Sequence, residues 1–173
     1  MVIRSRKIAQ LYLSEYPRLI RQIERLVELV RQKDPNVALL ALFGSTARLT
    51  PGPVSDADVL TLVHDRRPFS YLITGCKPPV LFRLLGEAEA SPDGKDCRWG
   101  FSGVVSDTQT SDLDPEFVEN VAEHGVLLYH QEGAPFPSVL ASLQPYAHWL
   151  EQVHELLAAC ARTVDAGRAR LPA

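Results

Sequence analysis

Residues 36–63 read NVALLALFGSTARLTPGPVSDADVLTLV. Val37 to Phe43 is apolar at every position, the pattern of a strand buried on both faces. Gly44-Ser45 ends that run, the residues from Ser45 to about Leu49 suit the opening turn of a short helix, and Thr50-Pro51-Gly52-Pro53 is a loop by composition. A second apolar run, from Asp56 or Ala57 to Val63, reads as another strand with an acidic start. Successive side chains of a strand point to opposite faces, so Asp56 and Asp58 share one face while Ala57 and Val59 take the other. Two neighbouring carboxylates on one face are hard oxygen donors of the kind a divalent cation takes.

Ahead of this stretch, Ile8, Leu11, Tyr12, Tyr16, Leu19, Ile20, Ile23, Leu26, Val27 and Val30 recur at helical spacing. Proline is poorly accommodated inside a helix, so Pro17 predicts a short first helix and a longer one from Pro17 to near Lys33. Downstream, Phe69 to Thr74 is ambiguous and Pro79 suits the first position of a helix reaching about Ala90. Ser91-Pro92-Asp93-Gly94 is a turn signal. A third strand is expected over Arg98 to Ser106, with Gly100 and Gly103 marking a bulge or a close backbone approach.

Asp114-Pro115 opens a helix that Gly125 closes, and Val126 to Tyr129 is a final strand. Beyond the Gly133 to Pro137 breaker, apolar residues from Val139 to Val164 line one helical face, interrupted at Pro145 and ended at Gly167. The aromatic part of that stripe, Tyr146 and Trp149, reads as core or as a contact for a second copy or a helical partner. The expected fold class is α/β (α+β), a small mixed sheet flanked by helices. It divides into an N-terminal helical segment over 1–35, a core over 36–133 and a C-terminal helical extension over 134–173, together one compact domain.

Bulk properties narrow the function classes. The 173 residues are 46% hydrophobic and 23% charged with a formal charge of -3, which gives no footprint for sequence-independent binding of nucleic acid or an acidic membrane. Cys76, Cys97 and Cys160 are odd in number and widely spaced, so neither a disulfide framework nor a zinc site is expected. No apolar run approaches the ~18 residues of a spanning helix, and a cytoplasmic location is the plain expectation. His148 and His154 do not share a helical face, and His64 reads as a surface or capping residue.

Leu42-Phe43-Gly44-Ser45, ten intervening residues and Asp56-Ala57-Asp58-Val59-Leu60 resemble the Gly-Ser plus Asp-x-Asp signature of the nucleotidyltransferase superfamily, in particular its minimal bacterial members. Leu113 to Phe117 through Glu123 to Tyr129 is similar to that family's closing helix and strand, so the resemblance covers roughly Val37 to His130. It implies transfer of a nucleoside monophosphate from a nucleoside triphosphate, with ATP the expected donor, to a hydroxyl of a small molecule or a protein side chain. A branch of the family paired with a small helical toxin modifies its partner in this way. Asp56 and Asp58 are the implied ligands of Mg²⁺, with a two-metal site if active. Gly44, Ser45 and Arg48 are the implied contacts to the triphosphate.

The resemblance also implies a third carboxylate on the strand before the closing helix. The natural alignment puts it at Gly103, where there is no acid; Asp107 has the same strand parity and is the candidate to complete the set, with Asp96 a weaker one. The alternative is a catalytically impaired module of the same fold that binds nucleotide or a protein partner. A structural oligomer assembled through the terminal helices is a third reading.

Overall fold

The computed structural model describes residues 5–51, 56–70, 79–90 and 100–168. The chain opens with helix α1, Arg6–Lys33, whose first turn is capped by the Ser5 hydroxyl accepting from the Ile8 N–H. It then runs through strand β1, Val37–Phe43, a single helical turn α2, Gly44–Ala47, and strand β2, Ala57–Val63. After a 3₁₀ turn at Arg67–Ser70 come helix α3, Val80–Glu89, and strand β3, Phe101–Asp107. Helix α4, Pro115–His124, strand β4, Val126–His130, the two-residue strand β5, Gln144–Pro145, and helix α5, Tyr146–Arg168, complete it.

The strands form one mixed sheet in the order β3-β2-β1-β4-β5. β1 is antiparallel to both neighbours, β2 and β4, whereas β2–β3 and β4–β5 are parallel. Alternation sorts the sheet's side chains into two layers. Leu40, Leu42, Ala57, Val59 and Val63 pack against α1, α3 and α5, while Leu39, Ala41, Leu60 and Leu62 pack against α4. With both faces covered, an apolar residue is required at every position of β1, as its sequence shows.

Pro17 lies inside one continuous helix, not at the start of a second. Ala9, Tyr16, Leu19, Ile23, Leu26 and Val30, on both sides of the proline, are fully buried in the same cluster. Burial of that common face outweighs the hydrogen bond Pro17 cannot donate to the Leu13 carbonyl. The C-terminal apolar stripe is likewise internal: Trp149, Val153, Leu156, Cys160 and Val164 are buried in that cluster, α5 packing on α1. Of the two readings of that stripe, core and contact for another chain, these buried residues take the first.

Two further expectations are refined. Asp114 caps α4 by accepting from the Glu116 and Phe117 N–H groups at 2.8 and 3.2 Å, with Pro115 in the first turn. Gly125 ends α4 with φ -78°, so it is not needed for a left-handed cap; a Cβ there would lie 2.3 Å from the Val121 carbonyl and 2.6 Å from Leu143 Cδ2. Pro145 falls in β5, ahead of α5, so no helix is interrupted there. The readings made for Ser91–Gly94 and for Cys76 and Cys97 lie outside the described residues.

Replacing Pro17 by Ala restores an amide donor in the middle of α1. Urea unfolding of Pro17→Ala should show a gain of about 1–3 kcal/mol; a loss would mean that a helix begins at this proline after all.

Candidate functional site

β1 and β2 are adjacent and antiparallel, with Phe43 opposite Asp58, so the end of one and the start of the other lie side by side. The residues after β1, Gly44 and Ser45, therefore meet the acidic start of β2. Gly44 has φ +73°, in the left-handed region, and a Cβ placed on it would lie 2.3 Å from Asp58 Oδ2 and 3.2 Å from its Cγ. Only glycine meets both conditions, a left-handed backbone and a carboxylate resting on the α-carbon. The two halves of the motif are thus in contact, although Gly44 and Asp58 are fourteen positions apart in the chain.

The turn that follows is closed by backbone bonds. Leu49 N–H donates to the Thr46 carbonyl at 3.2 Å and Thr50 N–H to the Ser45 carbonyl at 2.8 Å, with Leu49 itself at φ +58°. A leucine in that conformation costs local strain, offset by its half-buried side chain packing against the main core. Thr46, fully buried, donates from its hydroxyl to the Asp56 carbonyl at 3.1 Å and so ties the turn to the aspartates. Arg48 is exposed at the end of the turn and forms no ion pair among the described residues. Tyr12 of α1 donates to the Pro51 carbonyl at 3.0 Å, fixing the loop beyond.

Asp56 is exposed just ahead of β2 and Asp58 is half-buried within it. β3 runs parallel to β2 with Asp58 beside Ser102, and the Ser102 hydroxyl donates to Asp58 Oδ1. Paired residues of neighbouring strands point to the same face, so Ser102, not Gly103, occupies the place next to Asp58. Gly103 pairs with Val59 and points to the other face.

Asp107 is not part of this group. It pairs with Val63 at the far end of β3, about 16 Å from Ser102 at ~3.3 Å per residue, and on the opposite face of the sheet. There it organises a turn, accepting from the Gln109 N–H at 2.8 Å and the Ser111 hydroxyl at 3.3 Å. Shared parity with Gly103 is what made it a candidate, and parity is what removes it, because the site lies on the other parity. Asp96 lies outside the described residues. His64 is also remote, its Nε2 bonded to Gln131 Oε1 at 2.6 Å beyond the opposite end of β2.

Glu89, which no sequence signal singled out, comes to this end of the sheet from the last turn of α3. Its Oε1 accepts from the Phe101 N–H at 2.6 Å, pinning the start of β3. Asp56 Oδ1 and Glu89 Oε1 lie 3.4 and 4.0 Å from the position a Cβ on Gly100 would take. Among the described residues no group of three or more His, Cys, Asp or Glu side chains is placed to hold a metal ion. Two carboxylates still fit Mg²⁺, which is commonly held by one or two of them together with substrate phosphates. A cleft of about 430 Å³ opens beside the turn, between Leu49 and the α5 residues Glu155, Leu156, Ala159 and Arg162.

The nucleotidyltransferase domain model matches residues 23–128, more than half of the chain. The chain belongs to the nucleotidyltransferase domain family and is a transferase by class. No curated protein sequence matches it. Similar solved structures include a toxin–antitoxin complex with AMP-PNP, at 16% identity and TM-score 0.43 over 84% of this chain and 98% of that one. Another is a complex of a tri-AMPylated Shewanella oneidensis HEPN toxin with its MNT antitoxin, at 14% identity and TM-score 0.40 over 87% and 98%. A candidate nucleotidyltransferase from Sulfolobus solfataricus matches at 21% identity and TM-score 0.39 over 68% and 90%.

Gly44→Ala brings a methyl group onto the Asp58 carboxylate and forces alanine into a left-handed conformation. It should lower stability by about 1–3 kcal/mol in thermal unfolding, and an unchanged Tm would mean that Asp58 does not rest on Gly44.

Proposed function

We propose that the chain catalyses Mg²⁺-dependent transfer of a nucleoside monophosphate from a nucleoside triphosphate, ATP for preference, to a hydroxyl of a small molecule or a protein side chain. The observation that carries this reading is the contact between Gly44 and Asp58, which brings the Gly-Ser turn against the pair of carboxylates. In this reading Asp56 and Asp58 hold the metal. Mg²⁺, when bound, supplies charge neutralisation on the phosphate oxygens.

The protein's own groups do the rest. Gly44 lets the backbone approach the phosphates, the Ser45 hydroxyl and the amides that follow it donate to their oxygens, and Arg48, exposed and free of an ion pair among the described residues, takes the terminal phosphate. The acceptor hydroxyl oxygen attacks the α-phosphorus and gives up its proton to solvent, the bond from that phosphorus to the bridging oxygen breaks, and pyrophosphate leaves in line. Positioning and electrostatic stabilisation supply most of the acceleration.

The second reading, a nucleotide-binding module without turnover, is favoured by one observation: the position beside Asp58 holds the hydroxyl of Ser102 and not a third acid. One experiment separates the two. Calorimetry with ATP, with and without Mg²⁺, is paired with a search for label transfer from ATP labelled at its α-phosphate. The enzyme reading expects metal-dependent binding and labelled product; binding with no product under any acceptor condition selects the module. Asp56→Asn and Asp58→Asn should each lower transfer by about 100-fold or more, whereas Asp107→Asn should leave nucleotide binding as it is in the unaltered protein.

A further inference from the structure

Ser102 stands beside Asp58 on β3, half-buried, and none of the roles assigned above falls to it. Around the turn, three hydroxyls are committed to backbone. Thr46 is fully buried and donates to the Asp56 carbonyl at 3.1 Å, Thr50 donates to the Ser45 carbonyl at 3.4 Å and Tyr12 to the Pro51 carbonyl at 3.0 Å. Ser102 instead presents its oxygen at the carboxylate pair, its hydroxyl donating to Asp58 Oδ1. The two residues before it are pinned. The Gly100 carbonyl accepts from the Ala57 N–H at 2.9 Å, and the Phe101 N–H donates to Glu89 Oε1 at 2.6 Å. A primary hydroxyl is therefore held on a fixed strand end, with its oxygen lone pairs still available.

We propose that Ser102 is an acceptor within the chain, so that the protein transfers a nucleoside monophosphate to itself. The inference rests on the nucleotidyl-transfer reading and deepens it, since it names an acceptor for that site. Ser102 Oγ attacks the α-phosphorus and its proton goes to solvent. The bond from that phosphorus to the bridging oxygen breaks, pyrophosphate leaves, and Ser102 carries the nucleotide as a phosphodiester. Attack needs the oxygen about 3–3.5 Å from the phosphorus. A hydroxyl one hydrogen bond from Asp58 reaches that distance by rotation about its Cα–Cβ bond alone. A well-oriented hydroxyl of the same molecule also acts at an effective concentration of about 10⁵ M or more, which no dissolved acceptor matches. The adduct keeps its nucleotide in the site and takes the hydroxyl away from Asp58, so the reaction stops after a single transfer per chain.

The test incubates the full-length chain with Mg²⁺ and ATP labelled at its α-phosphate, with no other acceptor added. The protein is then denatured and the label located by peptide mass spectrometry, while calorimetry reads ATP binding separately. The peptide that contains Ser102 should gain the mass of one AMP group, and labelling should level off at a single nucleotide per chain. Ser102→Ala should lower self-labelling by about 100-fold or more and still bind ATP. Label on a different residue, or labelling that survives in Ser102→Ala, overturns the inference and leaves the proposed function standing. So does label that passes to an added small-molecule acceptor while Ser102 stays unmodified. ATP binding with no label on the chain or on any acceptor overturns the inference and selects the nucleotide-binding module. Absence of both binding and label overturns the proposed function itself. If Ser102→Ala does not fold, the position of the label in the unaltered protein decides.

Discussion

β1 is the constraint on which the remainder of this molecule depends. Residues Val37 to Leu42 are fully buried, with β2 on one side, β4 on the other and helices over both faces. Burial of each leucine there contributes about 2 kcal/mol, and no backbone amide of the strand can be left without a partner at such depth. Such a strand has one way out of the core. At Gly44 the chain leaves the sheet through a left-handed residue, and the return strand brings Asp58 back over that glycine. The candidate site is the place where the central strand ends.

Support for that place comes from elements scattered along the chain. α4 reaches it through the edge-to-face contact of Phe117 with Phe43, ring centroids 5.2 Å apart. α1 reaches the loop through Tyr12, and α3 reaches the start of β3 through Glu89, whose own carbonyl accepts from Gln22 of α1 at 3.3 Å. These contacts fix backbone positions and leave Asp56 exposed and Asp58 half-buried. Hence the helical layers act on the chemistry by holding the ends of three strands in register.

The strand-turn-strand reading of residues 37–63 needed nothing beyond local pattern, because an all-apolar run, a glycine and an acidic restart each have few conformational outcomes. Pro17 shows where local reasoning fails: proline preference concerns one residue, whereas α1 is held by a buried face extending on both sides of it. The C-terminal stripe shows a related limit. Its helical period is visible in the sequence, but whether α1 or another chain covers it is decided only when the terminal helices are seen to pack together.

Sequence alone determined the two carboxylates on one face, the Gly-Ser turn before them and the family they point to, since spacing and alternation are properties of the chain itself. Tertiary structure decided what stands beside Asp58. The start and register of β3 depend on its hydrogen bonds to β2 and on Glu89 holding Phe101, neither of which has a local signature. A shift of one residue turns every side chain of a strand to the other face, and that single step separates Gly103 and Asp107 from Ser102.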